Sequence, residues 1–172
     1  KIDNILIHPF AGWKAKEWNL VNFIKLALEL KKRSYFPQII FTKEHIRKDV
    51  LLELDNLGLD YTVSETVDSL IKTIRNSTLF IGNDSGPIHI ANLLEKPTFT
   101  IYGPTNPKVH LPLYGINGYC NLLLRCSPTN REKWCFTEGG LKGCPSYECM
   151  EGLSVNYVVK ELFNFIDRLK SN

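Results

Sequence analysis

Apolar residues recur along this chain with two periods, and the two alternate. Residues 4–8 form a short run without charge, and Pro9-Phe10-Ala11-Gly12 ends it. From 19 to 33 the apolar positions are Leu20, Phe23, Ile24, Ala27, Leu28 and Leu30, the spacing of one helix face. Pro37 stops that helix, and 38–42 reads as a second strand. Residues 44–57 return to helical spacing through Val50, Leu51, Leu54 and Leu57, closed by Gly58. A short strand follows at 60–63. Val67, Leu70, Ile71 and Ile74 then mark a helix ending near Asn76. Residues 78–81 and 98–102 read as strands four and five, separated by a helix that begins at Pro87.

Strands alternating with helices predict an α/β fold, a parallel sheet with helices on both faces. Right-handed crossovers place the carboxyl ends of the strands on one edge, where such folds bind ligands. After Tyr102 the alternation stops. Residues 103–152 are rich in Gly, Pro, Asn and Cys and read as irregular, apart from an apolar stretch at 119–124. Ser154 is a candidate N-cap for a closing helix to about Leu169. The division is thus a regular core over 1–102, an irregular segment over 103–152 and a C-terminal helix over 153–172, in one domain.

Composition changes this picture little. At 172 residues, 44% hydrophobic and 23% charged, the chain is long enough for a sizeable core. A net charge of +3 is too small to argue for nucleic acid, and Lys31-Lys32-Arg33 reads as a solvated helix end. No apolar stretch reaches the roughly 18–20 residues of a membrane span. The first residues lack the design of a signal peptide. The chain starts one step before its first strand, as a domain cut from a longer protein would, or a short natural protein.

The chemistry gathers on the loops after the strands. Ile81-Gly82-Asn83-Asp84-Ser85-Gly86-Pro87-Ile88-His89 runs from a strand into a helix start. Free backbone N–H groups and the positive end of the helix dipole suit a phosphate there. His89 lies one turn after Ser85. An ordinary capped helix with a buried histidine explains the same residues. Lys14 and Lys16, after strand one, offer cations for a diphosphate or are simply solvated. Glu44, after strand two, offers a carboxylate to ribose hydroxyls or complements a helix dipole. Tyr102-Gly103-Pro104-Thr105-Asn106-Pro107 adds a hydroxyl and an amide on the same edge, or only a rigid turn. There is no Walker P-loop, no G-x-G-x-x-G after the first strand and no nucleophile elbow.

The five cysteines all lie between 120 and 149. Cys126, Cys135, Cys144 and Cys149 have spacings compatible with a tetrahedral zinc or iron site, and equally with reduced thiols in a loop. Cys120 reads as a core residue.

His8-Pro9 with Lys16 and Trp18, the block from Gly82 to His89, Ile101-Tyr102-Gly103-Pro104-Thr105, and the segment with Cys144-Pro145 and Cys149-Met150 together resemble family 9 glycosyltransferases, the ADP-heptose:lipopolysaccharide heptosyltransferases. The resemblance covers nearly the whole chain and matches the family's C-terminal half. It implies a GT-B architecture, two Rossmann-like domains facing across a cleft, with the nucleotide sugar held by the C-terminal one. It implies that Asp84, Ser85 and Gly86 meet the diphosphate and sugar. Lys16 would neutralise phosphate, His89 support the site, Glu44 hold the ribose, and Thr105 join the donor site. The donor would be an ADP-sugar, with no obligatory metal. The acceptor, a glycolipid or other glycan, and the catalytic base would belong to an N-terminal domain that this sequence lacks. The resemblance further implies a cytoplasmic enzyme, peripheral at the inner face of the bacterial inner membrane. A non-catalytic nucleotide-binding module, or a subunit needing a separate acceptor domain, fits the same residues.

Overall fold

A computed structural model describes residues 2–124, 126–127, 144 and 146–171. Six strands, β1 (Asn4–His8), β2 (Phe36–Thr42), β3 (Asp60–Ser64), β4 (Leu79–Asn83), β5 (Thr98–Tyr102) and β6 (Asn117–Asn121), form one parallel sheet in the order β3-β2-β1-β4-β5-β6. This is the doubly wound order, and its direction reverses between β1 and β4. Among the described residues the helices are α1 (Leu20–Lys32), α2 (Lys48–Leu57), α3 (Val67–Arg75), α4 (Gly86–Leu93), α5 (Pro107–His110), α6 (Glu148–Glu151) and α7 (Val155–Ser171).

Both faces of the sheet are covered because its central strands are apolar on both sides. Ile5, Ile7, Ile39, Phe41, Leu79, Ile81, Phe99 and Ile101 pack against α1, α2 and α7 through Phe23, Leu26, Leu54, Val158 and Leu162. Leu6, Ile40 and Phe80, the alternate residues, meet Leu70 and Ile74 of α3 and Ile88 and Ala91 of α4. Asn19 caps α1 by accepting the Val21 N–H at 3.0 Å, and Ser154 Oγ accepts the Tyr157 N–H at the start of α7. Gly58 ends α2 in the left-handed region, at φ 61°.

Several elements differ from the sequence expectation, among them the short helices α5 and α6 within 103–152. Pro37 lies inside β2 rather than before it. Pairing of β2 with β3 begins only at Gln38, so the missing N–H of Pro37 costs no ladder bond on that side. The helix expected over 44–57 is broken: Lys43–His45 is a single 3-10 turn and α2 starts at Lys48. Within 103–152, Asn117–Asn121 adds a sixth parallel strand. Its sequence has no apolar run, and it is fixed by neighbours instead. Asn117 Oδ1 accepts from Asn92 Nδ2 at 2.9 Å and from the Thr98 hydroxyl. The ring of Phe165 lies so close to Gly118 that a Cβ would stand 2.6 Å from it.

Candidate functional site

The site lies where the strand order reverses, at the carboxyl ends of β1 and β4. Asn83, the last residue of β4, is fully buried. Its Oδ1 accepts the Trp18 N–H at 3.1 Å and its Nδ2 donates to the Pro9 carbonyl at 2.8 Å. One amide thereby fixes both ends of the loop between β1 and α1. The Trp18 indole, 1% exposed, donates to the Leu153 carbonyl at 2.8 Å and anchors the same loop to the segment before α7.

The loop carries Lys16 in a 3-10 turn, Lys14–Lys16. Lys16 Nζ donates to Asp84 Oδ2 at 2.7 Å, and Thr105 Oγ1 donates to the same oxygen at 2.8 Å. His89 Nε2 stands 3.7 Å from the other oxygen, Oδ1. The Asp84 side chain is 4% exposed, whereas Lys16 and His89 keep 20% and 46% of theirs in solvent. The carboxylate is therefore turned inward and its cations face outward. Burial pushes the Asp84 carboxyl up, but hydrogen bonds from His89, Lys16 and Thr105 outweigh it and hold the group at about 2. Lys14 takes no part: it is exposed and pairs with Glu17 at 3.1 Å.

Ser85 is the N-cap residue of α4 by backbone conformation, yet its hydroxyl caps nothing and has no partner. Gly86 is exposed, and a Cβ there would meet nothing within 4 Å. The first turn of α4 thus presents open backbone beside Lys16. Adjoining it is a cavity of about 450 Å³ lined by His8, Phe10, Thr42, Glu44, His45 and Ser85, among others. Phe10 and His45 stack in it with ring centroids 3.9 Å apart. Glu44, 69% exposed, has its carboxyl held below the ordinary range by a hydrogen bond with Thr42.

Lys16, Asp84, His89 and Thr105 meet around one carboxylate, Ser85 and Gly86 adjoin it, and Glu44 reaches the edge of the neighbouring cavity. The sequence reading assigns no site role to Asn83, His8 or His110, although the first two stand in its motifs. The first two are polar residues ending apolar strands, a signal that was available. His110, on α5, has its pKa lowered first by burial, and it interacts electrostatically with Asp84, Lys16 and His89. Only the fold brings it there.

Among the described residues the cysteines do not form a comparable centre. Cys126 is exposed, Cys144 half-buried and Cys149 buried, and Cys135 lies outside the described residues. Among the described residues no group of three or more His, Cys, Asp or Glu is placed to hold a metal ion. The tetrahedral zinc or iron set that the spacing left open is not assembled by them. Cys120 is a core residue, 2% exposed. No helix among the described residues is long and apolar enough to cross a membrane.

Strand order, helices on both faces and a polar crevice at the reversal point define a Rossmann-like α/β domain. A family profile described as glycosyltransferase family 9 (heptosyltransferase) matches residues 1–138. The chain belongs to that family. It is 27% identical over 167 residues to lipooligosaccharide heptosyltransferase 2 of Campylobacter jejuni, an alignment covering 91% of this chain and 49% of the relative. The solved ADP-heptose LPS heptosyltransferase II of E. coli superposes with a TM-score of 0.74 at 20% identity, over 98% of this chain and 48% of that one. The E. coli heptosyltransferase WaaC, solved with ADP, gives 0.69 at 13% identity, over 95% and 44%. This chain spans about half the length of these proteins.

Proposed function

We propose that this domain is the donor-binding half of an inverting heptosyltransferase, holding a nucleotide sugar of the ADP-heptose class. Family membership supports the reaction class, and the WaaC structure with ADP supports the nucleotide. The observation that carries the reading is Lys16 Nζ, held 2.7 Å from a buried carboxylate beside the open first turn of α4.

Each residue then has a task. One N–H of the Lys16 ammonium is spent on Asp84 and two remain for the diphosphate. Asp84 is the counter-ion that aims Lys16, and Thr105 fixes the carboxylate. Ser85 and the backbone at Gly86 bind phosphate oxygens at the helix N-terminus. His89 adds a half-exposed donor. Glu44 meets the ribose at the mouth of the cavity that receives the nucleoside. A base from a second, N-terminal half removes the proton of an acceptor hydroxyl, and the oxygen attacks the anomeric carbon from the face opposite the diphosphate. The bond from that carbon to the phosphate oxygen breaks, and ADP departs with the electron pair. Lys16 and the α4 dipole stabilise the charge that develops on it. The acceptor is a glycolipid or related glycan of the lipopolysaccharide core, met at the cytoplasmic face of the membrane.

Calorimetric titration with ADP, GDP and UDP tests the reading. Binding selective for ADP and weakened in Lys16→Ala is the expected result. Binding to none of the three, or equal binding by Lys16→Ala, contradicts it.

A further inference from the structure

His8 is the last residue of β1, 4% exposed, and it lines the cavity beside Ser85. Neither of its ring nitrogens meets a partner with hydrogen-bond geometry, and Ser85 Oγ, in the same cavity, also has none. The ring makes an edge contact with Phe10 at 5.9 Å, which an apolar ring would make as well. A position that required only volume would carry Leu or Phe, since an unpaired buried polar atom costs stability that an apolar group of similar shape does not. Buried polar atoms without hydrogen-bond partners on two residues that line one cavity, His8 and Ser85, point to a polar occupant.

We propose that His8 is a ligand-contacting residue of this cavity, reading a ribose hydroxyl of the bound nucleotide as a neutral imidazole. The proposal rests on the cavity being part of the nucleotide-donor site. Charge argues for the ribose over the diphosphate. Burial pushes the His8 pKa down to about 4, and His45 pushes the same way. Glu17, Glu44 and the Phe10 backbone oppose this without reversing it, and the Phe10 contact is not an aligned hydrogen bond. At neutral pH the ring thus offers one N–H donor and one lone pair. A phosphate oxygen only accepts and would leave the lone pair unmatched. A hydroxyl both donates and accepts. Glu44, lining the same cavity from the end of β2, is placed to take the neighbouring hydroxyl.

The test is calorimetric titration of the 172-residue chain and of His8→Phe, His8→Leu and Lys16→Ala with ADP, 2′-deoxy-ADP and 3′-deoxy-ADP, with a melting temperature for each protein. Wild type is expected to prefer ADP over at least one deoxy analogue. Both His8 variants should bind ADP about 5- to 10-fold more weakly, lose that preference, and melt no lower than wild type. ADP affinity within about twofold of wild type in the His8 variants, while Lys16→Ala binds weakly, overturns the role of His8 and leaves the donor site standing. An equal loss for ADP and both analogues, or failure of both His8 variants to fold, overturns it too, because His8 would then serve the fold and not a hydroxyl. Absence of ADP binding by wild type overturns the donor-site reading and this inference with it.

Discussion

The two ends of the sheet each hold a cavity, and they differ in everything but size. At the amino ends of β1, β2 and β3 a cavity of about 380 Å³ is lined by residues including Asn4, Phe36, Gln38, Asp60, Lys72 and Asn76. At the carboxyl ends of β1 and β2, the cavity beside His8 measures about 450 Å³. The first abuts the C-terminus of α3, where Asn76 is the C-cap, and the second abuts the N-terminus of α4. Helix dipoles therefore make the first end partly negative and the second partly positive. The buried side-chain atoms without partners at His8 and Ser85 border the second cavity, and among the described residues none borders the first. Volume does not identify a binding site here. Dipole sign and unmet hydrogen-bonding capacity separate the two ends, and both favour the edge that carries Lys16 for the proposed site.

The contrast is broken most strongly at Lys16. Lys16→Ala should weaken ADP binding by about 1.5–3 kcal/mol, as loss of a charge-assisted bond does, read by calorimetry at fixed salt. A comparable effect is expected on stability against pH. The His8 ring, neutral until about pH 4 when folded, takes up a proton near 6.5 when unfolded. Its contribution is full above pH 6.5 and is lost as pH falls toward 4, amounting to about 3 kcal/mol. Asp84 acts in a lower window, from its ordinary 3.8 down to about 2, because its folded pKa is depressed. Urea unfolding at a series of pH values should show both declines, and His8→Phe should abolish only the upper one. Ser85→Ala removes a hydroxyl without a partner, so ADP binding should weaken by about 0.5–1 kcal/mol while the melting temperature holds. Smallest of all, Lys72→Ala at the opposite cavity should change ADP affinity by less than about 0.5 kcal/mol.

Much of this edge was legible in the sequence, because turn and cap chemistry is local. Gly82 to Pro87 announces a strand running into a helix, and it proved to be the junction of β4 and α4. The partners of Asp84 were less legible. Lys16 lies 68 residues away along the chain and Thr105 lies 21, so only the pairing of β1, β4 and β5 joins them. Lys14 and Lys16 look alike in sequence, and the turn of a three-residue 3-10 segment decides which one meets the carboxylate. Strand β6 was missed because Asn117–Asn121 owes its place to Asn92, Thr98 and Phe165, all distant in sequence, and not to its own hydrophobicity. The state of the Ser85 hydroxyl was illegible for a related reason: at the start of α4 it caps nothing and is buried without a hydrogen-bond partner.

The most direct test of the central claim is to follow backbone amide resonances of the isotope-labelled chain during titration with ADP. The account predicts the largest shifts at Lys16, Ser85, Gly86 and Ile88, with Gln38, Asp60, Lys72 and Asn76 nearly unmoved. Shifts concentrated at the second group would place the nucleotide at the wrong end of the sheet and contradict the account.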